Sequence, residues 1–181
     1  MPKLPSPRDL AYAGLFGAAA LLLPVLFHLV HLGHVFMPMY LPLLVLAFLV
    51  RPVPAAVTAA VTPLLSAAVT GMPPFYPPVA VFMAIELSAM AGAVAVVLAR
   101  WPLTNTWFLL ALALAVGRVL YLGLTYVFSL IIHLPAEYIA GVSFLSAWPG
   151  LILILVTVPP VVHIVRRTGK PATHSSKEQP S

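Results

Sequence analysis

The chain has no cysteine. Disulfides and thiolate metal sites are therefore excluded, and the redox compartment stays open. Charge is scarce as well: 7% of the residues are Asp, Glu, Lys or Arg, against about 25% in a soluble domain. That shortage leaves no room for a water-soluble catalytic domain, and no enzyme activity is expected. A Walker A lysine loop is missing, so the chain does not power itself with ATP. An HExxH zinc pair and a GxSxG nucleophile elbow are missing too, and no bound metal or cofactor is expected. The N-terminus lacks a signal-peptide cleavage pattern, so its apolar run reads as a retained helix. Residues 1–100 and 101–181 show no internal similarity of the kind that inverted-repeat carriers carry. No run of carbonyl-rich or charged residues suggests a channel filter.

What is present is apolar length and proline. Of 181 residues 62% are hydrophobic, and 20 are proline; the mean hydropathy is +1.07. Nine prolines fall between Pro38 and Pro78, where they cut the apolar runs. Interior prolines remove a helix hydrogen bond and kink the helix, which membrane proteins tolerate where the freed groups find neighbours or line a cavity. The pattern predicts an all-α protein with six transmembrane helices over residues 10–165. A polar lead-in (residues 1–9, with Asp9 as the first helix cap) and a polar, disordered tail (166–181) flank it. The helices are expected at about 10–32, 38–50, 54–70, 78–99, 103–134 and 147–165. The second is short, so residues 31–37 are expected to fill part of the membrane depth there. The fifth is either one long helix or broken near Gly123.

Six spans place both termini on one side. Lys3, Arg8, Arg51, Arg100, Arg166, Arg167, Lys170 and Lys177 then share that side, which the positive-inside rule makes the cytoplasm of a multi-pass cell-membrane protein. The formal charge of +5 belongs to this orientation and not to a nucleic-acid partner.

The ninth basic residue, Arg118, lies inside the fifth span. A charge there is costly and marks a functional candidate. Its expected partner is Glu86, because both lie about 21–23 Å above the basic end at 1.5 Å per residue. The pair either locks two helices together or faces a pocket open to the other side. Arg118, Tyr121, Thr125 and Ser129 share one helical face, able to hold a small polar ring compound. His28, His31 and His34, spaced three apart, read as interfacial or pocket-lining groups in preference to metal ligands. Tyr12, Trp101, Trp107, Tyr138 and Trp148 lie near expected membrane faces, as an aromatic belt would; Trp148 is also a candidate ligand contact. Small residues recur at fours: Ala13 with Gly17, Gly14 with Ala18, and Ala55, Ala59, Pro63 and Ala67. Such stripes let helices approach closely, either within the molecule or against a second membrane protein.

Read in order, Pro38-Met39-Tyr40-Leu41-Pro42, Arg51-Pro52, Pro63-Leu64-Leu65-Ser66, Gly71-Met72-Pro73-Pro74, Glu86-Leu87 and Trp148-Pro149-Gly150 resemble a known pattern. It is that of the substrate-binding S component of energy-coupling factor (ECF) vitamin transporters. The chain departs from it at Tyr40, where relatives often have histidine, and at Arg51, where they have glycine. The resemblance implies capture of a vitamin or vitamin precursor from outside. It also implies docking onto a membrane coupling subunit that carries two ATPases, through the first three helices at Ala13, Gly17, Ala55, Ala59 and Ala67. Ligand contacts are then implied at Tyr40, Phe75, Tyr76, Glu86, Arg118, Tyr121, Thr125 and Trp148. On that basis Arg118→Gln abolishes binding yet leaves an extractable protein. The alternatives are a stand-alone carrier or channel and, further off, a membrane enzyme subunit.

Overall fold

The structure, a computed structural model, is described over residues 5–29, 37–132 and 136–168, with backbone only at 28–29 and 136–148. The chain forms six helices there: α1 (Pro7–Leu29), α2 (Tyr40–Ala47), α3 (Pro52–Thr70), α4 (Val79–Arg100), α5 (Thr106–Ile132) and α6 (Ala136–Thr168). No strand occurs among the described residues. All but α2 contain a stretch long and apolar enough to cross a membrane, five in all among the described residues. The protein is an all-helical, multi-pass membrane protein by these criteria.

The exception is the centre of the fold. With 8 residues, α2 rises only about 12 Å. Tyr40 and every residue from Pro42 to Ala47 are buried. It packs against α1, α3, α4 and α6, while α1, α3, α5 and α6 turn Leu15, Val61, Val119 and Val156 outward. The most continuously apolar stretch of the sequence is therefore covered by protein, and the outer faces are left for lipid. Burying each such leucine removes enough apolar surface to count for about 1.5–3 kcal/mol in water; inside a bilayer the gain comes from close packing.

Local chemistry fixes the ends. Ser6 precedes α1 and Pro7 opens it, a position where the missing N–H costs nothing. The Ser6 backbone N–H and hydroxyl donate to Asp9 Oδ2 at 2.9 and 2.8 Å, and the Asp9 N–H donates back to Ser6 Oγ at 3.2 Å. The helix is thus closed by a reciprocal capping box. Asp9, expected as the cap itself, is instead the inner member of the box, and it also reaches Arg51 at 3.5 Å. Gly71 ends α3 at φ 74°, its N–H returned to the Ala67 carbonyl, a conformation that favours glycine. Between α4 and α5, Asn105 Oδ1 accepts the N–H groups of Trp107 and Phe108 at 2.9 and 3.4 Å. At the far end Arg166 Nη2 donates to the Phe48 carbonyl at 2.8 Å, one of the acceptors that the end of α2 leaves unpaired. The Asp9–Arg51 and Arg166–Phe48 contacts, with the pairing of α3 and α4, put Arg8, Arg51, Arg100 and Arg166 at one end of the bundle.

One boundary differs from expectation, and one open alternative is decided. The last helix begins at Ala136, not near 147, and carries Pro149, Pro159 and Pro160 inside it; neighbouring helices can absorb such breaks. The fifth runs unbroken past Gly123. The tail beyond 168, the lead-in at 1–4 and the expected filling segment at 31–36 lie outside the described residues.

The small-residue stripe of α3 is a correction. Ala55, Ala59 and Ala67 are buried in a seam where α3 meets α4 and α1. A methyl added at Gly92 would touch the Ala56 Cβ at 3.4 Å, and one added at Gly17 would meet the Thr58 methyl at 3.3 Å. The three alanines therefore pack the molecule internally and offer no free docking surface. Ala59→Leu is expected to lower stability by about 1–3 kcal/mol through overpacking, visible as a lower unfolding temperature in detergent. An unchanged temperature would show that the seam has room and that this placement of α3 is wrong.

Candidate functional site

The site begins with Gly117 and Met90. A Cβ at Gly117 would lie 2.1 Å from the Met90 sulfur and 2.8 Å from its Cγ. A side chain here would force Met90 to swing aside where α5 closes onto α4. One turn before Met90 on α4 stands Glu86, and one residue after Gly117 on α5 stands Arg118. The close approach thus brings together the acid and the base that depth alone had matched.

Arg118 Nη2 lies 3.0 Å from Glu86 Oε1. Glu86 is fully buried and Arg118 nearly so, with side chains 0% and 11% exposed. The guanidinium N–H is not aimed well enough for a hydrogen bond, so Oε1 makes an ion pair only. The second oxygen is better held: the Tyr40 hydroxyl donates to Glu86 Oε2 at 2.5 Å. Tyr40 is the first residue of α2, so the half-helix delivers its hydroxyl to the carboxylate from the middle of the bundle. The same ring lies 5.2 Å from the guanidinium carbon, and the Tyr121 ring lies 5.7 Å from it. Both distances fall within cation–π range, where each contact contributes about 0.5–2 kcal/mol. Met37 completes the shell, its sulfur accepting from Arg118 Nη2 at 3.6 Å. Met37 itself is held at φ 46°, a left-handed conformation that costs a non-glycine residue about 1–3 kcal/mol and tends to occur at functional positions.

Further along α5 the polar face continues. Thr125 and Ser129 are buried. Ser129 bonds the Tyr126 carbonyl at 2.7 Å. Thr125 Oγ1 and Arg118 Nε have no hydrogen-bond partner among the described residues. An unsatisfied buried donor costs about 1–3 kcal/mol and calls for an explanation, a bound solute being one. Phe82 packs edge-on against Tyr121 and Phe128, at 6.4 and 5.7 Å between centroids.

Of the residues expected at the site, Tyr40, Glu86, Arg118 and Tyr121 come together, with Thr125 two turns along the same face. Phe75 and Tyr76 are exposed residues of the α3–α4 connection, whereas Tyr40 and Glu86 are buried. The Trp148 side chain, the His28 side chain, His31 and His34 lie outside the described residues. No group of three potential metal ligands forms among the described residues. Sequence reasoning missed Met37 and the bond from Tyr40 to Glu86. The uniform apolarity of α2 hides which of its residues faces α4. A tyrosine at the head of an otherwise aliphatic run was the available signal.

What the arrangement offers is a buried, charge-paired polar cluster inside a helical bundle, nearer the end away from Arg100. It presents an acceptor, a guanidinium donor, a hydroxyl and two aromatic faces, and no activated nucleophile. No protein-family model, curated protein or solved structure matches the chain.

Proposed function

We propose that the chain is the substrate-binding S component of an ECF-type transporter, taking up a small vitamin or vitamin precursor across the cell membrane. The observation that carries this reading is the buried Tyr40–Glu86–Arg118 cluster, far from the arginine-rich end of a bundle that has no ATP-binding loop of its own. Charged groups inside a membrane domain usually mark a solute path or site. A cluster this enclosed suits tight capture more than rapid conduction, which needs weak, successive sites. The motif order that resembles S components passes through two members of the cluster, Tyr40 and Glu86.

On this reading both termini are cytoplasmic, as the basic end requires, and the solute enters from the opposite side. Arg118 Nε and Thr125 Oγ1 meet polar atoms of the solute, and Tyr121 lies against its ring. The solute leaves chemically unchanged. Docking to the coupling subunit and its two ATPases uses the outer face of α1, where Gly14 and Ala18 are open and Ala13 and Gly17 are half-covered.

The test is mass spectrometry of small molecules that copurify with the full chain, followed by uptake assays with and without the coupling subunit and ATPases. One solute at near-stoichiometric occupancy is expected, with uptake dependent on the ATPases. Uptake that proceeds equally well without them would identify a stand-alone carrier.

A further inference from the structure

A concavity with a mixed, mainly apolar lining and a basic side chain lies at the arginine-rich end, far from Glu86. It is a groove of about 600 Å³ between the α4–α5 turn and the last turns of α6. Thr106, Trp107, Pro160, His163 and Arg166 line it. Arg166 is already anchored there by its bond to the Phe48 carbonyl. Its guanidinium carries five N–H donors in all, so one bond leaves capacity for more. Because the side chain is held in place, a ligand that meets it immobilises little further. The start of α5 is not the anchor, because Asn105 Oδ1 already accepts from the N–H groups of Trp107 and Phe108.

The surroundings select a ligand. Arg8, Arg51, Arg100, Arg166 and Arg167 share this end with a single described acid, Asp9, which is paired with Arg51. The end is therefore positive, and the occupant that matches it is an anion. The rim is apolar and bare: Leu103 is 98% exposed, Trp101 64% and Trp107 50%. Tryptophan in such positions sits at headgroup level, and a leucine so exposed on a turn is covered only if the turn dips into the interface. A soluble anion would leave that rim in water. A lipid covers it with acyl chain and brings its own phosphate.

We propose that this groove binds the phosphate headgroup of an anionic phospholipid, with Arg166 and His163 on the phosphate, the Thr106 hydroxyl beside it and Trp107 against the glycerol and upper acyl chain. Basic pockets between transmembrane helices commonly hold such headgroups. The proposal is independent of the solute carried at Glu86.

The full chain, purified in detergent, is titrated with phosphatidylglycerol and with phosphatidylcholine. Adducts are counted by native mass spectrometry, and the unfolding temperature is followed in parallel. Phosphatidylglycerol is expected to bind at least tenfold more tightly than phosphatidylcholine and to raise the unfolding temperature. Arg166→Gln should weaken it about fivefold, the order of one cation near an anionic surface. His163→Ala should weaken it with the lipid-free unfolding temperature unchanged, which keeps the test sound if loss of the Arg166–Phe48 bond harms folding. Arg8→Gln, at the same end but outside the groove, should leave affinity within twofold. Equal binding of the two lipids, or equal losses in Arg8→Gln and His163→Ala, would overturn the proposal. So would glycerol 3-phosphate displacing the lipid at equal concentration, which would make the site one for a soluble phosphate.

Discussion

Arg118→Gln is expected to destabilise the bundle by about 3–5 kcal/mol, the range for a buried ion pair that loses one partner. Glu86 is fully enclosed and would keep only the Tyr40 hydroxyl against its charge. The burial thus alters what the sequence suggested for this variant: loss of fold should accompany loss of binding. Combining Glu86→Gln with Arg118→Met removes both charges and should recover most of the stability, since apolar or neutral replacement of a whole buried pair is often tolerated. Solute binding should stay absent in the double variant, because the Nε donor is gone. The measurement is the unfolding temperature in detergent beside solute retention. A double variant that is stable and still holds the solute would reduce the pair to a structural lock. A single variant as stable as the unmodified chain would show that Glu86 is solvated or protonated at no cost.

Leu44→Ala is expected to cost about 2–5 kcal/mol, whereas Leu15→Ala should change stability by less than about 0.5 kcal/mol. Both residues are leucines in apolar helices. Leu44 is completely buried in the middle of α2 and Leu15 is 64% exposed on α1. Truncating Leu44 leaves a cavity that the surrounding helices cannot fill without moving. Truncating Leu15 exchanges one lipid contact for another. Comparing the two by unfolding in the same detergent separates membrane-facing apolarity from core apolarity, which hydropathy reads alike. Equal effects would mean that α2 does not occupy the centre.

Much of this architecture was legible because some signals survive without knowledge of neighbours. Helix order follows from apolar length and from Pro and Gly punctuation. The Glu86–Arg118 pairing follows from counting residues on either side of the tight turn at Arg100–Pro102, since the helix rise is fixed. Other features depend on partners that one strand of text does not name. A row of alanines four apart says that something approaches closely, not whether it is a neighbouring helix or a second protein; here α3 meets α4 at Ala56 and α1 at Thr58. An aliphatic run such as Leu43 to Ala47 has no polar face to orient it, so the aim of Tyr40 was hidden. Trp148-Pro149-Gly150 favours a helix start near 147, since proline suits a first turn, yet inside this bundle α6 continues through it. Ser6, not Asp9, closes the first helix because a hydroxyl at that place can give and take bonds at once.

The buried half-helix also bears on how the chain is made. α2 is too short to be inserted as a span of its own. The side of it that faces α6 is covered by residues near Ile154, Val158 and Val162, and its end is latched by Arg166. A ribosome reaches those residues only after the other five described helices have been made. Until they emerge, the centre of the molecule has one wall missing, so the protein cannot close as it is synthesised, helix by helix. Its centre can close only once α6 has emerged.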